Sequence, residues 1–140
     1  MEKRNVLFVM SSLRNGGAER SLVNLLQLLD YDRYNVDLLL FQNEGMFLKQ
    51  VPKAVNIISN CNKLYTLYGN NKAEALKHPY LSSIHMIGTF ISRKKTNSVA
   101  KSRQYRWEHF YKKIVPELTK EYDVAIAYMQ REQTYFLVDK

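Results

Sequence analysis

Residues 6–20 read Val6-Leu7-Phe8-Val9-Met10-Ser11-Ser12-Leu13-Arg14-Asn15-Gly16-Gly17-Ala18-Glu19-Arg20, and they decide the predicted fold. The five consecutive apolar residues at the start are typical of a β-strand that is buried on both faces. Two glycines then interrupt the apolar pattern. After them, apolar residues recur at helical spacing and form one stripe, made of Ala18, Leu22, Leu25, Leu26 and Leu29. A buried strand, a glycine turn and a helix form the opening of a doubly wound α/β domain.

The glycine turn, Gly16-Gly17, is a candidate anion-binding loop. A glycine lets a ligand approach the backbone closely, and either glycine can adopt a positive φ. The first N–H groups of the following helix have no partner inside that helix, and they favour an anion such as phosphate. The spacing matches neither the dinucleotide fingerprint G-x-G-x-x-G nor the P-loop G-x-x-x-x-G-K-[ST]. A tight turn that binds no ligand is the alternative.

The rest of the chain continues the α/β pattern. Apolar runs predict further strands at 36–41, 55–58 and 124–128. Helices are expected at 46–51, 72–77, 80–91 and 99–115. A loop or one irregular turn is expected at 59–71 and a loop at 92–98, and Thr134 is a candidate cap for a last helix. The apolar stripe of the helix at 80–91 is expected at positions 80, 84, 87 and 91. The chain is therefore predicted to be a single Rossmann-like, three-layer α/β domain over 1–140, with a mainly parallel sheet and helices on both faces.

The segment Asn5–Leu25, and above all its Gly-Gly-Ala-Glu-Arg core, resembles the amino-terminal start of a family 4 retaining glycosyltransferase of the GT-B type. Residues 122–128 look like a later strand of the same domain. The resemblance implies two Rossmann-like domains across a cleft. The first binds mainly the acceptor, and the second holds the nucleotide-sugar and an E-x7-E motif. This sequence has no glutamate pair at that spacing, so the resemblance implies a truncated amino-terminal domain that does not transfer sugar alone.

The resemblance also implies roles for individual residues. Gly16 and Gly17 would lie near the phosphates of the donor. Glu19, whose carboxylate suits a helix amino terminus, either caps the helix or contacts a sugar hydroxyl of the acceptor. Arg20 either pairs with a phosphate or carboxylate or is solvated. Acceptor candidates by position alone, after the strand at 124–128, are Gln130, Arg131 and Glu132. The expected partners are a nucleotide-sugar donor and a glycan or lipid-linked acceptor, with no catalytic residue and no separate cofactor assigned to this chain.

The net charge of +8 is concentrated in one segment. Residues 93–113 hold one acid, Glu108, and eight basic residues: Arg93, Lys94, Lys95, Lys101, Arg103, Arg106, Lys112 and Lys113. Such a cluster favours an anionic partner. We expect an anionic membrane surface, with Trp107, Tyr105 and Tyr111 at head-group depth. A solvated basic face on ordinary packing helices is the alternative, and no nucleic-acid partner is expected because no nucleic-acid-reading motif is present.

The remaining features narrow the compartment and the class of function. Cys61 is the only cysteine, and no apolar run has the length of a signal-peptide core or a membrane span. We therefore expect a cytoplasmic protein, with peripheral contact at the inner face of the membrane as an extension. Histidines 78, 85 and 109 lack zinc-ligand spacing with the cysteine, so no metal is expected. Three hypotheses remain: a glycosyltransferase domain, a nucleotide- or NAD-binding module with Glu44 after its second strand, and a non-enzymatic membrane-surface protein.

Overall fold

The computed structural model describes residues 2–58, 62–68, 72–115, 117–129 and 132–139. In this part of the chain four parallel strands form one sheet: β1 (Arg4–Met10), β2 (Tyr34–Leu40), β3 (Asn56–Ile58) and β4 (Val124–Ala127). The α-helices are α1 (Gly17–Leu28), α2 (Asn62–Tyr68), α3 (Lys72–Lys77), α4 (Pro79–Lys95), α5 (Val99–Arg106) and α6 (Glu132–Asp139). A 3₁₀ turn (Leu48–Gln50) follows β2, and a π-helical turn (Trp107–Tyr111) follows α5. The predicted α/β fold with a parallel sheet is confirmed.

The strand order, β3-β2-β1-β4, shows which edge of the sheet can bind a ligand. From β1 the chain steps outward to β2 and β3, and it later returns to the other side of β1 as β4. The direction of the strand order therefore changes beside β1. In open parallel sheets ligands bind outside the carboxyl ends of the strands at such a switch point. Val9 pairs with Ala127 there, so the loop after β1 and the residues after β4 border one crevice.

Side chains of β1 alternate between two apolar layers, as the period of a strand requires. Leu7 and Val9 pack in one layer, against buried residues of α2, α4, the π-helical turn and α6. Phe8 and Met10 pack in the other layer, against α1 and the segment after β2. Because both faces of the sheet are covered, β1 and β2 are almost continuously apolar in sequence, which is the pattern expected of internal parallel strands.

One buried carboxylate, Asp37 of β2, interrupts this apolar interior. Asn56, Lys120 and Tyr122 donate hydrogen bonds to its oxygens at 3.1, 3.0 and 2.7 Å. Burial by itself raises the pKa of Asp37, but the hydrogen bonds and the Lys120 charge outweigh burial and lower the net pKa. Burial and the neighbouring carboxylate raise the pKa of the Tyr122 hydroxyl. The cluster joins β2 to β3 and to the segment that leads into β4.

Two predicted loops are partly helical. Within 59–71, predicted as a loop, α2 forms because Leu64 and Leu67 are fully buried against the sheet, and this burial outweighs the polar composition. The remaining positions of that loop, including Cys61, lie outside the described residues. The second loop, predicted over 92–98, is shorter because α4 continues to Lys95. Basic residues favour a helix carboxyl terminus, and the N–H of Thr96 donates to the Ser92 carbonyl at 3.0 Å.

Three other helix predictions need correction. The helix predicted at 46–51 is only a 3₁₀ turn. The helix predicted at 99–115 is α-helical only to Arg106, after which the π-helical turn brings Trp107 and Tyr111 into the core. Thr134 does not cap the last helix, because α6 begins at Glu132 and Thr134 lies inside it. Gln133, which is hydrogen-bonded to Ser11 of the loop after β1, anchors that first turn.

Candidate functional site

The loop between β1 and α1 is held against the loop that follows β2. The Leu13 N–H donates to the Glu44 carbonyl at 3.0 Å. Arg14 forms an ion pair with Glu44 and donates to the Gln42 amide oxygen at 3.1 Å. Gly45 has a φ of 132°, and a Cβ added there would collide with the Leu13 carbonyl. Only glycine suits position 45, and the loop beside the switch point is fixed as a result.

The first turn of α1 opens at this loop. Gly16 precedes the helix with extended backbone (φ −89°, ψ 164°), and no side chain caps the turn. A Cβ added at Gly17 would meet no heavy atom within 4 Å, whereas one at Gly16 would collide with the Glu19 carboxylate. In the described part of the chain only Gly45 has a positive φ. Gly17 therefore leaves open space beside the first helix N–H groups, which suits the close approach of an anion, whereas the Glu19 carboxylate occupies the space beside Gly16.

The polar residues of α1 lie either at this open end of the helix or beside the crevice between β1 and β4. Glu19 lies half-buried in the first turn, with its carboxylate folded back toward Gly16. Its negative charge suits the helix dipole, but it also competes with an incoming anion. Arg20 is exposed. The hydroxyls of Ser21 and Tyr128 lie 2.9 Å apart and so link α1 to the residue that follows β4.

The first turn of α6 reaches the same edge of the sheet from the other layer. Gln133 is fully buried, and its amide nitrogen donates to the Ser11 hydroxyl. Its amide oxygen is buried and has no hydrogen-bond partner within the described residues. Glu132 forms an ion pair with Arg103 at 3.3 Å. The predicted acceptor candidate Glu132 thus lies near the edge, but its carboxylate is already engaged.

The other two acceptor candidates, Gln130 and Arg131, lie outside the described residues. Gln133 was missed by sequence reasoning. A glutamine beside a glutamate at the start of a helix gives no sign that it will be buried. Its partner Ser11 belongs to the strand-to-helix turn, so the contact depends on a pairing across most of the chain, which the sequence does not reveal.

Some of the basic residues that were expected to form one surface are exposed, and others face inward. The exposed members are Arg93, Lys94, Lys95 and Lys101. Arg103 and Arg106 are half-buried, the first paired with Glu132 and the second donating to the Thr89 hydroxyl at 3.1 Å. Trp107 is 1% exposed, and its indole N–H donates to Asp139 at 2.5 Å. The prediction that Trp107 lies at head-group depth is therefore wrong, because the π-helical turn directs the indole into the core.

The two tyrosines of that prediction also face the protein. Tyr111 is buried, and its hydroxyl lies 3.0 Å from Nδ1 of His85. Tyr105 is half-buried and stacks on His109 with ring centroids 4.0 Å apart. Neither ring lies free on the surface, so the aromatic groups predicted to enter a membrane belong to the packing of α5 and the turn after it.

The outer face of α4, formed by Tyr80, Met86, Ile87 and Phe90, is apolar and open. These four side chains are between 53% and 72% exposed. The buried side of the same helix carries Leu81, Gly88 and Ser92 instead. A Cβ added at Gly88 would lie 3.3 Å from the Phe110 ring, so small residues face inward where the π-helical turn crosses closely. The helix predicted from the apolar spacing at positions 80, 84, 87 and 91 is confirmed. These positions lie on one side of α4 at the border of the open face, since Tyr80 and Ile87 are exposed while Ile84 and Ile91 are half-buried.

The positively charged side chain of Arg106 lies at the boundary between α4 and the π-helical turn. Burial lowers the pKa of His85, and the positive charge of Arg106 lowers it further. Burial raises the pKa of the Tyr111 hydroxyl against the opposing effect of the same guanidinium. Burial and the Arg106 charge therefore both favour the neutral form of His85, while Arg106 carries positive charge at this boundary.

The described residues contain neither a metal-binding cluster nor a helix fit to span a membrane. Among them no three histidine, cysteine, aspartate or glutamate side chains come together as a metal ion would need. No helix in this part of the chain combines the length and the apolar character of a membrane span.

No protein-family model, curated protein or solved structure matches the chain. The Rossmann-like fold alone is compatible with many activities. The residues at the switch point and the surfaces of the helices therefore bear most directly on function.

Proposed function

We propose that this chain is the acceptor-side domain of a glycosyltransferase that uses a nucleotide-sugar donor. The observation behind the proposal is the open first turn of α1 at the switch point between β1 and β4. Gly17 leaves free space in front of the helix amino terminus there. A diphosphate is the anion that such a turn suits, and the resemblance of the Gly-Gly-Ala-Glu-Arg segment to family 4 glycosyltransferases supports the same reading.

The neighbouring side chains fit recognition of a sugar. Glu19 lies in the first turn of α1, with its carboxylate beside Gly16, and offers that carboxylate to a sugar hydroxyl. Arg20, exposed on the next position, offers a bidentate donor to a phosphate or carboxylate. Arg14 is a weaker candidate, because Glu44 and Gln42 already occupy its guanidinium. The acceptor would lie in the crevice between this turn and the residues after β4.

The test measures nucleotide binding by isothermal titration with UDP, GDP, a UDP-sugar and NAD⁺. Gly17→Glu places a carboxylate where the diphosphate would lie, and we expect it to weaken nucleotide-diphosphate binding at least tenfold. The matched control is Asn24→Glu, which adds the same charge seven residues along α1, about 10 Å away. Both added acids are exposed on α1, so neither variant should lose the fold.

The outcomes separate the hypotheses. Binding of nucleotide diphosphates that Gly17→Glu abolishes and Asn24→Glu preserves supports the transferase domain. Preferential binding of NAD⁺ would instead favour a dinucleotide-binding module. Equal losses in the two variants, or nucleotide-diphosphate binding that Gly17→Glu leaves unchanged, would refute the proposed use of the α1 turn.

A second function, contact with an anionic membrane surface, is favoured by the outer face of α4. Four large apolar side chains are exposed there, and Arg93, Lys94 and Lys95 follow on the last turn of the same helix. Lys94 lies over the Phe90 ring at 4.5 Å, so charge and apolar surface are adjacent. Exposed apolar patches mark interaction sites, and a basic residue near an anionic bilayer contributes about 1 kcal/mol of attraction. We therefore propose that α4 lies on the lipid surface.

Co-sedimentation with vesicles of phosphatidylcholine, with and without phosphatidylglycerol, tests this proposal. We expect binding only to the anionic vesicles, falling as salt rises, since the Debye length shortens. Ile87→Gln with Phe90→Gln should weaken it, whereas Leu28→Gln, at an even more exposed leucine on α1, should not. Binding to neutral vesicles, or equal effects of the two sets of substitutions, would contradict membrane contact through α4.

A further inference from the structure

A polar cavity of about 420 Å³ lies between the end of α4 and the start of α5. Its volume is within the range of about 300–1,000 Å³ that is usual for small-molecule sites. Three arginines line it, Arg93 from α4 and Arg103 and Arg106 from α5, together with hydroxyl groups. Arginine presents a planar fork of donors that matches phosphate and carboxylate oxygens.

The positive charge of this cavity is only partly neutralised. Arg103 is paired with Glu132 at 3.3 Å. Within the described residues no carboxylate forms an ion pair with Arg93 or Arg106. The Nε of Arg106 is buried and has no hydrogen-bond partner in the same part of the chain. Arg106 nevertheless lines the cavity, and its positive charge favours an anionic acceptor at the cavity wall.

The amino terminus of α5 adds further donors to the same cavity. Ser98, which precedes the helix, lines the cavity, and its side chain does not cap the first turn. No acidic residue lies in that turn. The N–H groups there and the arginines therefore present one kind of partner to the cavity, a hydrogen-bond acceptor with negative charge.

The walls of the cavity are fixed before any ligand arrives. The hydroxyls of Ser92 and Ser102 are buried and lie 2.8 Å apart, which ties α4 to α5. Thr96 donates from its hydroxyl to the Ser92 carbonyl at 2.8 Å and closes the end of α4. Arg106 is oriented by its hydrogen bond to Thr89. A preorganised site loses less entropy on binding than one that must be assembled.

We propose that the cavity between α4 and α5 binds a phosphate group, with Arg93, Arg106 and the first turn of α5 as its ligands. The phosphate belongs either to a soluble phosphate ester or to the head group of a lipid beneath the adjacent outer face of α4. The site is separate from the α1 turn and does not depend on the glycosyltransferase proposal.

The soluble arm of the test titrates the full chain with inorganic phosphate and pyrophosphate by calorimetry. Arg93→Gln removes one arginine of the cavity, and Ser98→Asp places a carboxylate at its mouth while remaining a good helix cap. We expect each to weaken pyrophosphate binding at least tenfold. The control is Lys94→Gln, which removes the same charge from the neighbouring position but lies outside the cavity and should change binding less than twofold.

The vesicle arm identifies the source of the phosphate. If Ser98→Asp weakens binding to phosphatidylglycerol vesicles and pyrophosphate competes with them, the cavity takes a lipid head group. If soluble pyrophosphate binds and Ser98→Asp does not change binding to vesicles, the ligand is a soluble ester. The proposal is overturned if neither form of phosphate responds to Ser98→Asp, or if Lys94→Gln weakens pyrophosphate binding as much as Arg93→Gln does. Thermal unfolding of each variant shows that the fold is retained.

Discussion

At the scale of single residues, the glycines have structural roles that differ from the predicted ones. Gly16 and Gly17 were considered for positive φ, but Gly45 is the residue that has it. The role of Gly17 is empty space at the start of α1, whereas the role of Gly45 is to let the chain pass the Leu13 carbonyl. The same residue type thus serves a candidate site at one position and the stability of a loop at another.

Gly45→Ala should destabilise the protein, and Gly17→Ala should not. Alanine at position 45 would need both an unfavourable φ and a shift of the backbone at Leu13, and strain of this kind costs about 1–3 kcal/mol. Alanine at position 17 meets open space and has a higher helix propensity than glycine. Urea unfolding of both variants measures the difference. Equal stability of the two would show that the Gly45 turn relaxes without cost.

We expect Asp37→Asn to lower the free energy of unfolding at neutral pH. The substitution should also reduce how much that free energy falls at acid pH. The folded-state pKa of Asp37 is lowered, so the unfolded chain takes up the proton first as pH falls. The stabilisation is present above the unfolded pKa of about 3.9 and is lost as pH falls through the folded value. Hydrogen bonds to a charged group contribute about 1.5–3 kcal/mol, so we expect a loss of that order at pH 7.

The measurement for this prediction is the free energy of unfolding at pH 7, 5, 4 and 3 for both proteins. The gap between wild type and Asp37→Asn should narrow below pH 5. A gap that stays constant with pH would mean that the Asp37 carboxylate does not carry the stabilisation.

At the scale of elements, the large apolar side chains around α4 and α5 are buried and exposed in the opposite way to what composition predicts. The aromatic residues of the basic segment, led by Trp107, point into the core, while Met86, Ile87 and Phe90 of α4 point outward. Gly88 and Ser92 are buried because the π-helical turn and α5 cross α4 at close range. Close crossing favours small residues at the contact, and the large apolar side chains are then left on the open face.

Trp107, the only tryptophan, should report this arrangement by fluorescence. Because the indole is buried and hydrogen-bonded to Asp139, we expect blue-shifted emission and weak quenching by acrylamide. Adding anionic vesicles should leave the emission unchanged even if the protein binds them through α4. A shift of the emission on binding would mean that Trp107 does enter the bilayer. Unfolding in urea supplies the red-shifted reference.

At the scale of the whole molecule, the sheet separates two apolar layers of described residues. One layer holds α1, and the other holds α2, α4, the π-helical turn and α6. The candidate phosphate sites fall on opposite sides of this division, one at the α1 turn and the other between α4 and α5. Substitutions at one site should therefore not alter binding at the other, since separated sites without shared partners behave additively.

Hydrogen exchange should follow the same organisation, with the slowest amides in β1. This strand pairs on both sides, with β2 and β4, and its side chains reach both layers, so its amides should open only in global unfolding. β3 has three residues and lies at the edge of the sheet, so its amides should exchange faster by local opening. Amide exchange followed by NMR measures both. Exchange in β1 as fast as in β3 would show that the sheet does not unfold as one unit.

Much of the fold could be predicted from local patterns. The apolar runs of β1, β2 and β4, and the helical stripe of α1, place the elements and their type correctly. Each of these segments has a strongly apolar run or face, and glycine or polar residues mark its ends. Where the pattern was weak, as in α2, burial of two leucines decided the structure, and no local signal in 59–71 revealed it.

The sequence by itself therefore determined the α/β class, the parallel sheet and the position of the glycine turn, because these depend on the order and period of apolar residues. Only the tertiary structure decided that Trp107 is buried, that the outer face of α4 is apolar and that Gln133 contacts Ser11. It alone brought Arg93 and Arg106 to one cavity. These features depend on how closely elements cross and on contacts between residues distant in the chain. A helical period specifies that a helix has faces but not which face its neighbours will cover.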